Sequence, residues 1–334
     1  MQVSVNGCGR IGRLLIRYLV ESGHTISHLN DVCSLESAAY LLQYDSVHGT
    51  WSVPVVAGDG IITIDGKEVK FTQEADPAKV DWPTEIVCDC TGKFLKVPIL
   101  TSSYLSTPSA CKKVVVSAPV KEAGALNVVL GCNDELLTPE HCIVTNASCT
   151  TNCLAPVVRV IKENLGIKHA CITTIHNVTG TQTLTDMPNT KKSDLRRARS
   201  GMLNLAPTST GSATAITEIY PDLKGRINGL AVRVPLLNGS LTDCVFEVER
   251  DTTGEEVNGL LKAAAEAGPL AGILGFNMLP LVSTDYTNST MSSTIDGLST
   301  MVVDKRMVKI YAWYDNECGY AKRMQELVVK VGGL

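Results

Sequence analysis

A doubly wound parallel α/β sheet, joined to a second α+β domain built on a mostly antiparallel sheet, is the fold class predicted by three features of the sequence. The chain opens with strand, glycine turn and helix in that order. Short apolar runs then recur, several ending in small polar or turn residues, as strands of a parallel sheet do at a ligand-bearing carboxyl edge. Beyond residue 170, strand-like runs follow one another with helices between only some of them, the pattern of an antiparallel sheet with helices against one face.

The first element is Val3-Ser4-Val5, followed by Asn6-Gly7-Cys8-Gly9-Arg10-Ile11-Gly12. Ile11, Leu14, Leu15, Tyr18 and Leu19 then form one helical stripe that stops at Gly23. Gly7, Gly9 and Gly12 keep the G-x-G-x-x-G spacing of a Rossmann-type dinucleotide fold. Gly7 allows the tight turn, Gly9 lets backbone approach a pyrophosphate, and Gly12 lets the helix pack close to the strand. The free N–H groups of the helix start then face phosphate. A second, unusually polar strand (Thr25 to Leu29, with His28) ends in Asn30-Asp31. Asp31 follows Gly12 by nineteen residues, where a carboxylate accepts the ribose hydroxyls of NAD and repels a 2′-phosphate; a plain turn residue is the alternative. Ile86 to Cys88, Lys113 to Val116, Val128 to Leu130 and Cys142 to Thr145 read as further strands, and Trp51 to Phe71 as antiparallel hairpins inserted among them.

Ala147-Ser148-Cys149-Thr150-Thr151-Asn152-Cys153 opens a helix whose apolar positions are Leu154, Val157, Val158, Ile161 and Leu165, with Gly166 as its stop. Ser148 suits the N-cap, so Cys149 falls at the first helical position, among N–H groups without intrahelical partners. Those donors favour a thiolate, a strong nucleophile toward carbonyl carbon. A small buried cysteine is the alternative. The apolar segment Ala170 to Ile175 ends in His176, a base of the kind such a nucleophile needs.

Residues 179–208 are polar, aperiodic and too long for a passive connection. Lys191-Lys192 and Arg196-Arg197…Arg199 within it read as a solvated face or as part of an anion site. Pro207 to Gly211 then leads into a helix through Ala215, Ile216 and Ile219, whose start is a second anion cradle. Strands are expected over Ile227 to Val234, Leu241 to Val248, Thr300 to Val303 and Val308 to Tyr314, with helices over Gly254 to Ala267 and Tyr320 to Val331.

Composition narrows the function classes. The 334 residues suffice for two cores, and the formal net charge of −4 gives no basic field for nucleic acid or an anionic membrane. No apolar run approaches a membrane span, and the opening strand leaves no room for a signal peptide. Twelve cysteines at spacings that fit no zinc pattern, with six unclustered histidines, point to free thiols in a reducing cytoplasm and to no metal.

Along essentially its full length the chain resembles phosphorylating glyceraldehyde-3-phosphate dehydrogenases. The matching blocks are the glycine turn through Arg13, Tyr44 to Gly49, Ser117-Ala118-Pro119, Ala147 to Cys153, Asp194 to Arg199, Pro207 to Gly211, Arg233-Val234-Pro235 and Trp313 to Glu317. The resemblance implies an NAD-binding domain over 1–148, rejoined by a closing helix over 318–334, and a catalytic domain over 149–317. It implies that Cys149 attacks the aldehyde of glyceraldehyde 3-phosphate and that His176 lowers the thiol pKa and then removes the hydroxyl proton. Hydride leaves to NAD, and inorganic phosphate releases the acyl thioester as an acyl phosphate. It further implies that Asn6, Gly7, Gly9, Arg10, Ile11, Gly12, Asp31, Thr91, Ser117, Asn316 and Tyr320 hold the dinucleotide. Arg233, Thr179 and Thr181 would hold the substrate phosphate and Ser148, Thr150, Thr210 and Gly211 the attacking one, with Arg197 between. A homotetramer, in which the 179–208 segment meets a neighbour, is implied as well.

The chain departs from the family pattern at Cys8, Cys318 and Ala75 and over residues 93–112, which touch adenine packing and the cofactor mouth. The resemblance therefore implies weakened or altered NAD affinity with the chemistry kept. Other readings of the same residues are an erythrose-4-phosphate dehydrogenase, a relative that uses arsenate in the phosphate role, and a non-catalytic thiol sensor on the same fold.

Overall fold

The glycine turn shows how the first sheet is assembled. In the computed structural model, which describes residues 1–106, 109–188 and 194–334 and, within them, all side chains but those of 212–214, β1 (Gln2–Asn6) runs into Gly7 at φ +97°. That left-handed geometry suits glycine alone, and α1 (Arg10–Glu21) follows at once. A Cβ on Gly12 would sit 1.9 Å from the Gly7 carbonyl oxygen, so helix and strand approach to a distance that no side chain permits.

The first unit comprises Met1–Val128, Asn133–Ser148 and Tyr320–Leu334. After β2 (Thr25–Asn30) and α2 (Leu35–Gln43) come β3 (Val55–Ala57), β4 (Ile61–Ile64) and β5 (Lys67–Thr72). These are followed by β6 (Ile86–Asp89), α3 (Val97–Leu100), β7 (Lys113–Val116), β8 (Leu126–Asn127) and β9 (Ile143–Thr145). The nine strands lie in the order β3-β4-β5-β2-β1-β6-β7-β9-β8. All pairings from β5 to β8 are parallel, so the sheet is doubly wound around β1. The antiparallel hairpins of β3, β4 and β5 do not stand apart, because β5 pairs in parallel with β2 and extends the sheet.

Polar β2 fits a buried strand because its side chains are paired. His28 lies wholly buried with Nε2 2.9 Å from Thr72 Oγ1, and Asn30 donates to Asn6 Oδ1 at 2.8 Å. One expected strand is displaced. Val128 to Leu130 is not a strand: the two-residue β8 precedes it, and Val129–Cys132 belongs to the second unit. There the Gly131 carbonyl accepts from Arg159, with Pro269, Leu270 and Ile273 close around the glycine. Apolar content alone could not tell this buried crossing from a strand.

The second unit comprises Val129–Cys132 and Cys149–Gly319. Its elements begin with α4 (Cys149–Leu165), β10 (His169–His176), β11 (Ala206–Ser209), α5 (Ser212–Ile219), β12 (Ile227–Arg233) and β13 (Ser240–Glu247). They continue with α6 (Gly254–Glu266), β14 (Leu274–Asn277), β15 (Ser293–Asp296), β16 (Met301–Val303) and β17 (Met307–Tyr314). The strand order is β11-β12-β10-β13-β17-β15-β14, with β16 beside β17. Among the strands of the described residues in this unit, only β10–β12 and β14–β15 pair in parallel. β13 and β17 alternate strictly between buried and more accessible positions, which is the period-two signature of a sheet with one face covered. Helix α4 is buried nearly all round, with Cys153, Leu154, Val157, Val158 and Ile161 inaccessible, and it ends at Gly166, a left-handed residue at φ +70°. The sequence gives little sign of β15, whose Ser293 and Thr294 are polar yet buried; Ser293 Oγ accepts from Cys153 Sγ at 3.6 Å. The last helix, α7 (Cys318–Gly332), returns the chain to the first unit from Tyr320 onward.

Candidate active site

The first unit carries a cleft at the carboxyl end of its central strands, lined by Asn6, Gly7, Gly9, Asn30, Asp31, Val32, Glu74, Ala75, Cys90, Thr91, Lys93 and Phe94. Gly9 is the N-cap of α1 and supplies no side-chain cap to the helix start, the end of a helix that favours an anion. A Cβ on Gly9 would meet no atom within 4 Å, leaving open space there. Asp31 is oriented from both sides: Oδ2 accepts from the Cys8 amide at 2.6 Å and Oδ1 from the Cys33 amide at 2.9 Å. Thr91 is fixed by Asp89, which accepts from its amide at 2.9 Å and its hydroxyl at 2.7 Å. Backbone donors at a helix start beside a strand-end carboxylate are the features a pyrophosphate and a ribose require, so this cleft fits a dinucleotide.

The second unit brings the cysteine and the histidine together. Cys149 opens α4, His176 closes β10, and Cys149 Sγ lies 3.6 Å from His176 Nε2. Before the cysteine, Ala147 is left-handed at φ +46°, an uncommon state for a residue with a Cβ. It is pinned on both sides: its amide donates to Thr145 Oγ1 at 3.1 Å, and its carbonyl accepts from Tyr320 at 3.0 Å.

The parallel register of β10 with β12 places Arg233 directly beside His176. Arg233 Nη1 lies 2.7 Å from His176 Nδ1 and donates to the Asn177 carbonyl at 3.0 Å, while that carbonyl is 2.9 Å from Nδ1. Nδ1 can therefore donate to Asn177 or accept from Arg233. The first tautomer leaves Nε2 bare to take a proton from sulfur, and the second leaves a proton on Nε2 to be given back.

Tyr314 sits behind this pair. Its hydroxyl is 3.0 Å from Thr150 Oγ1 and 2.8 Å from Thr174 Oγ1, and its ring meets His176 edge-on with centroids 6.0 Å apart. Burial, with Cys149 nearby, pushes its hydroxyl well above the ordinary tyrosine range, so it stays a neutral donor. Cys153, one turn along α4, is a contrast: it is inaccessible, and burial pushes its thiol up to about 12, which leaves it inert at neutral pH.

The same unit joins several of the side chains expected to hold anions. Arg197 donates from Nη1 to Thr181 Oγ1 and from Nε to Thr208 Oγ1, each at 3.1 Å, and Thr179 Oγ1 lies 3.1 Å from Thr181 Oγ1. Gly211 is the N-cap of α5, next to Thr210, and offers no side-chain cap of its own. Lys191 and Lys192 lie outside the described residues.

Of the anticipated cofactor residues, Asn6, Gly7, Gly9, Asp31 and Thr91 share the cleft. Arg10, Ile11, Gly12, Ser117 and Tyr320 belong to the same unit but are not among its lining. Asn316 lies in the second unit, where its Oδ1 accepts from Ser240 at 3.2 Å. Ser148 ends the first unit. Thr150 has its hydroxyl on Tyr314. Sequence reasoning missed Tyr314, Asn30, Glu74 and Lys93. The buried phase of β17 was the available signal for Tyr314; the other three acquire their place only through strand pairing.

Comparison with known proteins identifies the family. Residues 1–97 match the family described as "Glyceraldehyde 3-phosphate dehydrogenase, NAD binding domain", and residues 148–316 match its "C-terminal domain". The chain is 54% identical to "Glyceraldehyde-3-phosphate dehydrogenase 3" of a Nostoc species, over 99% of this chain and 98% of that one. It is 45% identical to "Glyceraldehyde-3-phosphate dehydrogenase 1" of Bacillus cereus, over 98% of this chain and 97% of the other. Against the Geobacillus stearothermophilus enzyme of the same name identity is 43%, over 99% and 98%.

Proposed function

This chain belongs to the glyceraldehyde-3-phosphate dehydrogenase family and takes NAD as its cofactor, and on that footing we propose that Cys149 and His176 oxidise glyceraldehyde 3-phosphate and pass its acyl group to inorganic phosphate. The 3.6 Å contact between Cys149 Sγ and His176 Nε2 carries the reading. His176 takes the thiol proton, sulfur adds to the aldehyde carbon, and the proton passes from the imidazole to the former carbonyl oxygen, giving a thiohemiacetal and a neutral His176. An aldehyde becomes a good hydride donor only after such an addition. His176 then accepts the hydroxyl proton as the C–H electron pair leaves, and a thioester remains on Cys149. NAD, when bound, supplies the hydride acceptor. Phosphate attacks the thioester carbon, the C–S bond breaks, and the acyl phosphate departs. N–H groups at the start of α4 and the imidazole stabilise the oxyanion at both additions.

Arg233, Thr179 and Thr181 hold the substrate phosphate, and Thr210, Gly211, Ser148 and Thr150 hold the attacking one. Arg197 lies between the two sets. Gly7, Gly9, Arg10, Ile11, Gly12, Asn6, Asp31, Thr91, Ser117, Asn316 and Tyr320 serve the dinucleotide. The catalytic domain runs over 149–317, and the NAD-binding domain over 1–148 with the closing helix. The assembly is a homotetramer in the cytoplasm. Leu184, Leu195, Leu203 and Leu205 are each more than 70% exposed in the 179–208 segment, an apolar surface that a neighbouring copy would cover.

NADH formation from glyceraldehyde 3-phosphate, with phosphate, arsenate or neither, tests the reading. Turnover is expected to depend on an acceptor and to collapse in Cys149→Ser. Steady turnover in that variant, or turnover indifferent to acceptor, would refute it. Native mass spectrometry tests the tetramer, and a monomer at assay concentration would contradict it.

A further inference from the structure

Beneath the cofactor cleft runs a buried polar chain that the reaction scheme does not use. Asp89, at the end of β6, is wholly inaccessible. Its Oδ1 accepts from Thr91, as described, and its Oδ2 accepts from the hydroxyl of Tyr104 at 2.5 Å. That hydroxyl in turn accepts from Asn6 Nδ2 at 2.6 Å, and Asn6 Oδ1 accepts from Asn30, which also donates to the Glu74 carbonyl at 2.9 Å. One phenol thus joins the two walls of the cleft, with Thr91 on one side and Asn6, Asn30 and Glu74 on the other. Tyr104 is itself inaccessible, packed against Trp82 with ring centroids 5.7 Å apart. It lies between the two regions, 1–97 and 148–316, that match the family.

We propose that Tyr104 is a positioning residue for NAD: it holds the buried Asp89 carboxylate and the Asn6 amide at once and so sets the spacing of the cleft walls. The proposal rests on the reading of this cleft as the cofactor site. A buried carboxylate is tolerated only while donors surround it. Burial pushes the Asp89 carboxyl up, and the Tyr104 and Thr91 donors oppose that shift. Removing the phenol hydroxyl leaves Oδ2 short of a donor and Asn6 Nδ2 short of an acceptor. Asp89 must then recruit elsewhere, and Thr91 moves with it.

The test compares wild type, Tyr104→Phe and Tyr104→Phe/Asp89→Asn by NAD titration and steady-state kinetics. Tyr104→Phe is expected to raise the KM and Kd for NAD roughly tenfold, the size of one charge-assisted hydrogen bond, with kcat at saturating NAD unchanged. The double variant removes the charge that needs the phenol and is expected to recover NAD affinity to within about threefold of wild type. Wild-type KM in the single variant, a fall in kcat with KM unchanged, or a double variant no better than the single in affinity or in folding would each overturn the proposal. A wild-type protein that fails to bind NAD would instead overturn the reading of the cleft.

Discussion

Two of the three fingerprint glycines are separated by one pair of substitutions. In Gly12→Ala the new Cβ would lie 1.9 Å from the Gly7 carbonyl oxygen and 3.3 Å from Cys90 Cβ, and real Cβ atoms essentially never come within 3.0 Å of such neighbours. The helix must therefore move by at least 3.0 − 1.9 Å, just over 1 Å. The nearer partner cannot yield, being backbone in the turn that Gly7 holds through its own amide on Asn30. Overpacking of this kind costs about 2–3 kcal/mol, which for units of this size lowers Tm by roughly 5–10 °C. In Gly9→Ala the Cβ meets nothing within 4 Å, and the backbone φ of −70° suits alanine. That variant should melt within about 1 °C of wild type yet lose NAD affinity by at least about tenfold, because its methyl group occupies the space above the helix start. Differential scanning fluorimetry without NAD and calorimetric titration with it read the two effects separately. Equal melting of the two variants, or full NAD affinity in Gly9→Ala, would refute this division of roles.

Other outcomes follow from the same geometry. His28 is buried against Trp82, and burial, then Lys70, pushes its imidazole down to about 4. The unfolded chain takes that proton near pH 6.5, so the stability this site contributes is intact above pH 6.5 and is lost as pH falls toward 4, by at most about 3 kcal/mol. The Tm of His28→Gln should depend less on pH than wild type between 4 and 6.5; parallel curves would contradict this. Arg197→Ala leaves Thr181 and Thr208 without their guanidinium donor and should raise the KM for phosphate at least about tenfold, with Kd for NAD unchanged; an unaltered phosphate KM would remove Arg197 from the anion site. Ala75 lines the cleft beside Glu74, and Ala75→Arg should tighten NAD by roughly threefold by adding a cation beside an adenine face; no change in Kd would separate that position from cofactor affinity.

Much of this architecture is legible in local pattern. Gly7 and Gly12 announce a close strand–helix approach, and the stripe from Leu154 to Leu165 announces α4, because both signals depend on residues near in sequence. β2 and β15 are obscured for the opposite reason. Their polar residues are satisfied by partners far along the chain, such as His28 by Thr72 and Ser293 by Cys153, and no window of the sequence contains both members. Cys149 could be singled out by its place at a helix start, and His176 by its strand end. What could not be read is the parallel register that sets Arg233 against His176, or the packing that puts the Tyr314 hydroxyl between Thr150 and Thr174. The Val128 to Leu130 run misled because a buried crossing and a buried strand are equally apolar.

The central claim is that one sulfur carries the acyl group. Mixing the enzyme with NAD and glyceraldehyde 3-phosphate without phosphate, quenching in acid and digesting should show a single acyl adduct on the peptide that holds Cys149, discharged when phosphate is added before the quench. An adduct on any other of the twelve thiols, or NADH formed with no adduct at Cys149, would contradict the account.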